Sequence, residues 1–91
     1  GHFDKSLIDI KGDLLIVSQF TLMANCKKGR RPSFELAENP NRAKRLVDEC
    51  IAYASEAEIG TVASGSFGEH MDVRLTNDGP VTIMLDSTIV I

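Results

Sequence analysis

The chain has 91 residues, 43% of them hydrophobic and 25% charged, with a formal net charge of −3. That length allows one domain, spanning residues 1–91, with a thin core that hides roughly 60–65% of its extended surface. The composition is that of a globular protein, not a disordered one. No apolar run approaches the ~20 residues of a membrane span and no signal-peptide pattern is present, so the expected compartment is the cytosol and no membrane partner is expected.

Residue 1 is Gly, which leaves a tag scar, a processed product and a piece of a longer protein as alternatives. Ser6–Ile10 reads as a short strand and Lys11-Gly12-Asp13 as a turn. Residues 14–22 form the strongest strand. Leu14, Ile16, Ser18 and Phe20 share one face, and Leu15, Val17, Gln19 and Thr21 share the other. Both faces begin apolar, which predicts a central strand. Residues 23–40 have no period and are punctuated by Gly29, Pro32 and Pro40, so they read as a long loop.

A helix is predicted over 41–58. Ala43, Leu46, Val47, Cys50, Ile51, Ala54 and Ala57 make its apolar stripe, with Cys50 as a small core residue. Asn39 or Asn41 caps its start, Pro40 suits its first turn, and Gly60 is the expected cap at its end. Arg42, Lys44, Arg45, Glu49 and Glu56 fall on the outer face. A strand begins at Thr61-Val62-Ala63 and runs into Ser64-Gly65-Ser66-Phe67-Gly68, where two glycines around one aromatic predict a bulge or a close backbone approach. Residues 71–76 alternate, Asp78-Gly79 signals a hairpin, and Val81, Ile83 and Leu85 alternate again. Strands, one helix, then strands predict an α+β domain with a mostly antiparallel sheet packed on that helix.

Two polar interruptions break the apolar strands: Ser18-Gln19-Phe20-Thr21-Leu22 and Asn77-Asp78-Gly79-Pro80-Val81-Thr82. Polar groups placed where a core should continue find hydrogen-bond partners or line a pocket, and two such places suggest one site. Gly79-Pro80 reads either as a turn with Pro opening the next strand or as a cis peptide that aims a carbonyl into a site. Charge is also uneven. Residues 27–45 hold seven of the ten basic residues and two acids, so they carry +5 while the remainder carries −8. A local basic patch suits contact with a polyanion at one place, and a solvated loop and helix face is the plainer alternative.

Ser18 and Thr21 have the chemistry of nucleophiles, but a hydroxyl nucleophile needs a general base. His2 lies at the chain end and His70 has no Ser near it in sequence. Pocket-lining or hydrogen-bonded hydroxyls are the preferred reading over a triad. The two cysteines, Cys26 and Cys50, fit neither a metal site nor a disulfide framework, and no phosphate loop or paired-His ligand set is present. No metal and no cofactor are therefore expected.

Ser18-Gln19-Phe20-Thr21-Leu22 together with Asn77-Asp78-Gly79-Pro80-Val81-Thr82 resembles the two signature motifs of the D-aminoacyl-tRNA deacylase (D-tyrosyl-tRNA deacylase) family. Lys28-Gly29-Arg30-Arg31-Pro32-Ser33-Phe34, Gly65-x-Phe67-Gly68-x-x-Met71-x-Val73 and the helix between them resemble it as well, so the likeness runs from about Gly1 to Ser87. The resemblance implies hydrolysis of the ester joining a D-amino acid, or glycine, to the terminal ribose of tRNA, as a chirality proofreading step in translation. It implies a homodimer in which the Gly79-Pro80 loop, cis in this family, enters the partner's pocket and leaves no room for an L side chain.

By the same resemblance, backbone N–H groups of Phe20 and Thr21 face the developing oxyanion. Thr21 positions groups instead of attacking, and the ribose 2′-OH helps activate water. Ser18 and Gln19 shape the adenosine end of the pocket. Asn77, Phe67 and Met71 join Gly79 and Pro80 on the substrate side. Lys27, Lys28, Arg30 and Arg31 meet tRNA phosphates, which predicts salt-sensitive binding.

Ser66 stands where the family has Arg, and the family's N-terminal strands and first helix are absent from this sequence. Without them an exposed sheet edge and a small core are expected. The alternative to the enzyme is therefore a truncated, catalytically silent module that binds tRNA ends or dimerises.

Overall fold

The computed structural model describes residues 4–27, 29, 31–34 and 36–88. Its centre is a strand–helix–strand unit. Strand β1 (Leu14–Ile16) and strand β2 (Val62–Ser64) pair side by side, and helix α2 (Pro40–Glu56) lies between them in sequence and packs on β2. A one-turn helix α1 (Leu7–Ile10) precedes β1, and a 3₁₀ turn (Phe20–Met23) follows it.

The two strands are parallel, with Leu14 opposite Val62, Leu15 opposite Ala63 and Ile16 opposite Ser64. This corrects the expectation of a mostly antiparallel sheet. The cause is the connection: a crossover through a 17-residue helix returns the chain to the end from which it started, and that makes the second strand parallel to the first. The pairing extends beyond the strand ends through Gly60 N–H to Gly12 O (2.8 Å), Leu14 N–H to Thr61 O (2.9 Å) and Gly65 N–H to Ile16 O (2.9 Å). Asp13 adds a side-chain clamp, its carboxylate accepting from Thr61 N–H at 2.7 Å.

Several further expectations change. Residues 7–10 are helical, not a strand, because Ser6 and Asp9 form a reciprocal capping box: Asp9 N–H donates to Ser6 Oγ (3.1 Å) and Ser6 N–H to Asp9 Oδ2 (2.8 Å). The turn closes with Lys11 in the left-handed region (φ 50°), Lys11 N–H bonding Ile8 O and Gly12 N–H bonding Leu7 O. The strand expected over 14–22 ends at Ile16, and it has one strand neighbour among the described residues, so it is not central. Leu15 is accordingly 58% exposed.

Gly60 does not cap α2, whose C-cap is Ala57. A Cβ on Gly60 would instead collide with Asp13 Oδ1 and sit 2.8 Å from Lys11 O, so this glycine lets the chain pass against the 11–13 turn. Cys50 is exposed, not part of a core. The half-buried face of α2 is Ala43, Val47, Ile51 and Ala54, and Cys50 and Leu46 lie at its margin.

The N-terminus of α2 follows expectation. Asn39 is the N-cap, accepting from Asn41 N–H at 2.9 Å, with Pro40 in the first turn. The expected strands at 71–76 and 81–85 do not form a ladder among the described residues. The turn between them takes up the donors a ladder needs. Pro80 has no N–H, and Val81 N–H goes to Asn77 Oδ1 at 3.0 Å.

The result is an open molecule. Among the described residues no side chain is fully buried. The accessible surface is 8665 Å², where a folded monomer of this mass shows about 5,200 Å². The radius of gyration is 15.5 Å against about 12 Å for a compact domain of this length. No helix among the described residues is long and apolar enough to cross a membrane.

Candidate functional site

Beyond Ile16 the chain leaves the ladder. Val17, Ser18 and Gln19 run on without strand pairing and then tighten into the 3₁₀ turn that begins at Phe20. This stretch forms one wall of a groove of about 880 Å³. The N-terminal half of α2 (Ala43, Leu46, Val47) supplies a second wall, and Phe67, His70, Met71 and Val73 supply a third. Five predicted site residues therefore meet in one place: Ser18, Gln19, Phe20, Phe67 and Met71. Gly65 makes that meeting possible, since a Cβ there would lie 2.5 Å from Met71 Sδ and 3.7 Å from Val17 Cγ1. The close approach at Gly65 is by side chains and not by backbone, unlike the bulge or backbone approach expected near the two glycines.

Thr21 does not line the groove. Its Oγ1 accepts from Gln19 Nε2 in a short contact of 2.5 Å. A hydroxyl oxygen that receives an amide N–H has one lone pair engaged and keeps its own hydrogen to donate. The Gln19 side chain makes no capping bond to the first amides of the 3₁₀ turn. Those of Phe20 and Thr21 open the turn, where helical amides have no acceptor of their own.

Sequence reasoning missed Phe34. It lines the groove and meets Phe20 edge-on, with ring centroids 4.9 Å apart and planes at 67°. Its position directly after the basic run and Pro32 was the available signal. The long loop is pinched by an antiparallel bridge between Asn25 and Ser33, with N···O distances of 2.6 and 2.7 Å. Asn25 Oδ1 also accepts from Lys27 N–H at 2.9 Å. Lys27 and Arg31 thus ride on a closed loop whose base, next to Phe34, touches the groove. Lys28 and Arg30 lie outside the described residues.

The basic patch is smaller than its count suggests. Arg42 pairs with Glu38 (3.6 Å) and Lys44 with Asp48 (2.9 Å) along α2. Lys27 and Arg31 form no ion pair among the described residues.

His70 was set aside as a base, and the structure puts it on the groove wall with its side chain 93% exposed. Its partner is Asp72, 3.5 Å away, and not a hydroxyl. No His, Cys, Asp or Glu cluster among the described residues has the arrangement of a metal site.

Asn77, Gly79 and Pro80 stand apart from the groove of their own chain. The Gly79–Pro80 peptide is cis and Gly79 has φ 134°. A Cβ there would meet Val81 Cγ2 at 2.9 Å and Val81 N at 3.1 Å. Near the end of the described chain, Asp86 Oδ1 accepts from Thr88 N–H (2.9 Å) and Thr88 Oγ1 (2.7 Å). The backbone bond first and the hydroxyl second hold the Asp86 carboxyl below its ordinary value.

Comparison with known proteins gives a consistent result. The model of the family described as D-Tyr-tRNA(Tyr) deacylase matches residues 1–86. A D-aminoacyl-tRNA deacylase of Herpetosiphon aurantiacus is 59% identical over 86 residues, covering 94% of this chain and 56% of that protein. The Aquifex aeolicus protein of the same name is 55% identical over 87 residues, 96% of this chain and 58% of its own length. That of Petrotoga mobilis is 50% identical over 84 residues, 92% of this chain and 56% of its own. The chain thus spans a little over half the length of the curated relatives it matches.

Proposed function

The chain belongs to the D-Tyr-tRNA(Tyr) deacylase family, and from that premise we propose that its protein hydrolyses the ester of D-aminoacyl-tRNA, releasing free tRNA and the D-amino acid. The observation that carries this reading is the groove that gathers Ser18, Gln19, Phe20, Phe67 and Met71 from distant parts of a chain matching the family over residues 1–86.

In this reading the acylated 3′ end of tRNA lies in the groove. Water attacks the ester carbonyl carbon and its proton passes toward the ribose 2′-OH. The bond to the 3′-oxygen breaks, and that oxygen takes up a proton. Negative charge grows on the carbonyl oxygen, and the opening amides of the 3₁₀ turn, Phe20 and Thr21, are the donors suited to it. His70 pairs with Asp72 instead of a hydroxyl, which supports a positioning role for Thr21 over attack. Ser18 and Gln19 contact the adenosine end, and Phe67 and Met71 form the apolar wall. Lys27, Lys28, Arg30 and Arg31 meet phosphates, and Lys27 and Arg31 have no ion pair among the described residues to compete with that contact. Such an enzyme works in the cytosol, where charged tRNA is used.

The protein acts as a homodimer, with Gly79 and Pro80 of one copy closing the groove of the other and excluding an L side chain. One feature supports this: the Gly79–Pro80 turn lines no part of its own chain's groove.

The test is to incubate the intact natural protein with D-Tyr-tRNA and with L-Tyr-tRNA and to follow ester loss. Loss of the D-ester alone is expected. Retained tRNA binding with no loss of either ester would instead identify a silent binding module.

A further inference from the structure

We propose that Asn77 is a positioning residue: its side chain braces the Gly79–Pro80 turn from within, holding the backbone that meets the substrate without contacting the substrate itself. The proposal rests on the reading of that turn as the chirality filter. Three observations lead to it. First, Asn77 Oδ1 accepts from Val81 N–H at 3.0 Å, a bond that spans the whole turn. Pro80 has no N–H, so Val81 carries the first donor after the turn, and Asn77 takes it. Second, Nδ2 of the same amide points to Thr82 Oγ1 at 3.5 Å, a marginal contact that orients the amide so that its oxygen faces Val81.

Third, Val81 is the residue against which Gly79 is fitted. A Cβ on Gly79 would fall 2.9 Å from Val81 Cγ2 and 3.1 Å from Val81 N. Holding Val81 therefore fixes the position of Gly79, whose φ of 134° is open only to glycine. Among the described residues the hydrogen bonds that cross this turn both come from the Asn77 amide, and its residues are all exposed. One brace maintains a surface loop whose task needs sub-ångström placement. The bond to Val81 takes one lone pair of the Asn77 oxygen, so the Asp and Ala variants are needed to separate bracing from contact with the substrate.

The experiment compares wild type, Asn77→Ala, Asn77→Asp and Thr82→Val in the intact natural protein. It measures kcat and KM on D-Tyr-tRNA and L-Tyr-tRNA, and hydrogen exchange at the Val81 amide. Asn77→Ala, which removes the acceptor, is expected to lower D-over-L selectivity about tenfold and to speed Val81 exchange by a similar factor, as for one lost hydrogen bond. Asn77→Asp keeps the acceptor and should retain most of both properties, while Thr82→Val should stay within about twofold of wild type.

Selectivity unchanged in Asn77→Ala would overturn the proposal. So would equal damage in Asn77→Asp and Asn77→Ala, which would make the amide a substrate contact. Unchanged Val81 exchange would overturn the brace whatever the activity. A wild-type protein that spares both esters would instead sink the proposed function and the selectivity role with it, and Val81 exchange would still report on the brace.

Discussion

The stretch from Gly12 to Gly65 and the stretch from Ser66 to Thr88 both carry apolar side chains in patterned runs but reach different ends. In the first, β1 and β2 pair in register, Asp13 clamps Thr61, and Asn39 starts a helix that covers β2. In the second, the hydrogen bonds are local ones such as Asn77 to Val81 and Asp86 to Thr88, and no strand ladder forms among the described residues. Exposure follows: Val62 is half-buried, whereas Leu75 is 74% exposed and Leu85 84%. An alternating pattern states which face a strand would bury, but it does not supply the surface that buries it. The first stretch carries its own cover in α2. The second presents a row of exposed apolar side chains with no ladder among the described residues.

If the first stretch is the stability unit, its tightest point should be the most sensitive. Gly60→Val places a side chain against the carbonyls of Lys11 and Gly12, which cannot move without breaking the strand pairing. A loss of about 3 kcal/mol is expected in urea unfolding, the upper range for overpacking. A loss under about 1 kcal/mol would show that the turn yields and that the pairing is not the anchor.

The converse probe is Gly79→Ala. It should cost unfolding stability about 1–2 kcal/mol, the strain of a side chain at φ 134° in an exposed turn and less than the cost at Gly60. Hydrolysis of the D-ester, or rejection of the L-ester, should fall about a hundredfold, as for reacting groups misplaced by about an ångström. Wild-type selectivity in this variant would remove the turn from the site.

A milder test is Asn39→Ala, which removes the cap of the helix that forms one groove wall. It should cost about 1 kcal/mol in unfolding, with helix loss visible by circular dichroism at the same point. No change would mean that the Pro40 turn holds without its cap.

The smallest effect is electrostatic and lies in the second stretch. Asp86 has its pKa lowered by the bonds from Thr88. Its contribution to the local turn is therefore complete at pH values above the ordinary aspartate range and is lost as pH falls through the depressed value. A carboxyl titration by NMR should show Asp86 protonating below the ordinary aspartate value, with the Thr88 amide shift following it. Titration of Asp86 at or above that value would contradict the bond.

Ser18, Gln19 and Phe20 are singled out by a polar break after an apolar strand, and Phe67 and Met71 by the family resemblance, and the structure brings these five into one groove. Phe34 is not singled out, because its role depends on the Asn25–Ser33 bridge that turns the loop back toward Phe20. His70 was weighed for chemistry it does not perform with a hydroxyl here, while its place on the wall follows from the path of the chain after Gly68.

By itself the sequence determined the local events. The helix with Pro40 in its first turn and Asn39 as cap, and the tight turn at Asn77–Val81, rest on short-range sterics and on donors and acceptors a few residues apart. Only the tertiary structure decided that β1 and β2 run parallel, that β1 stops at Ile16, that Gly60 serves a close crossing instead of a helix end, and that the 71–85 region stays unladdered. Each of these depends on which distant backbone arrives alongside. A residue's own pattern can state a preference for a neighbour, but the neighbour's position is a property of the whole chain.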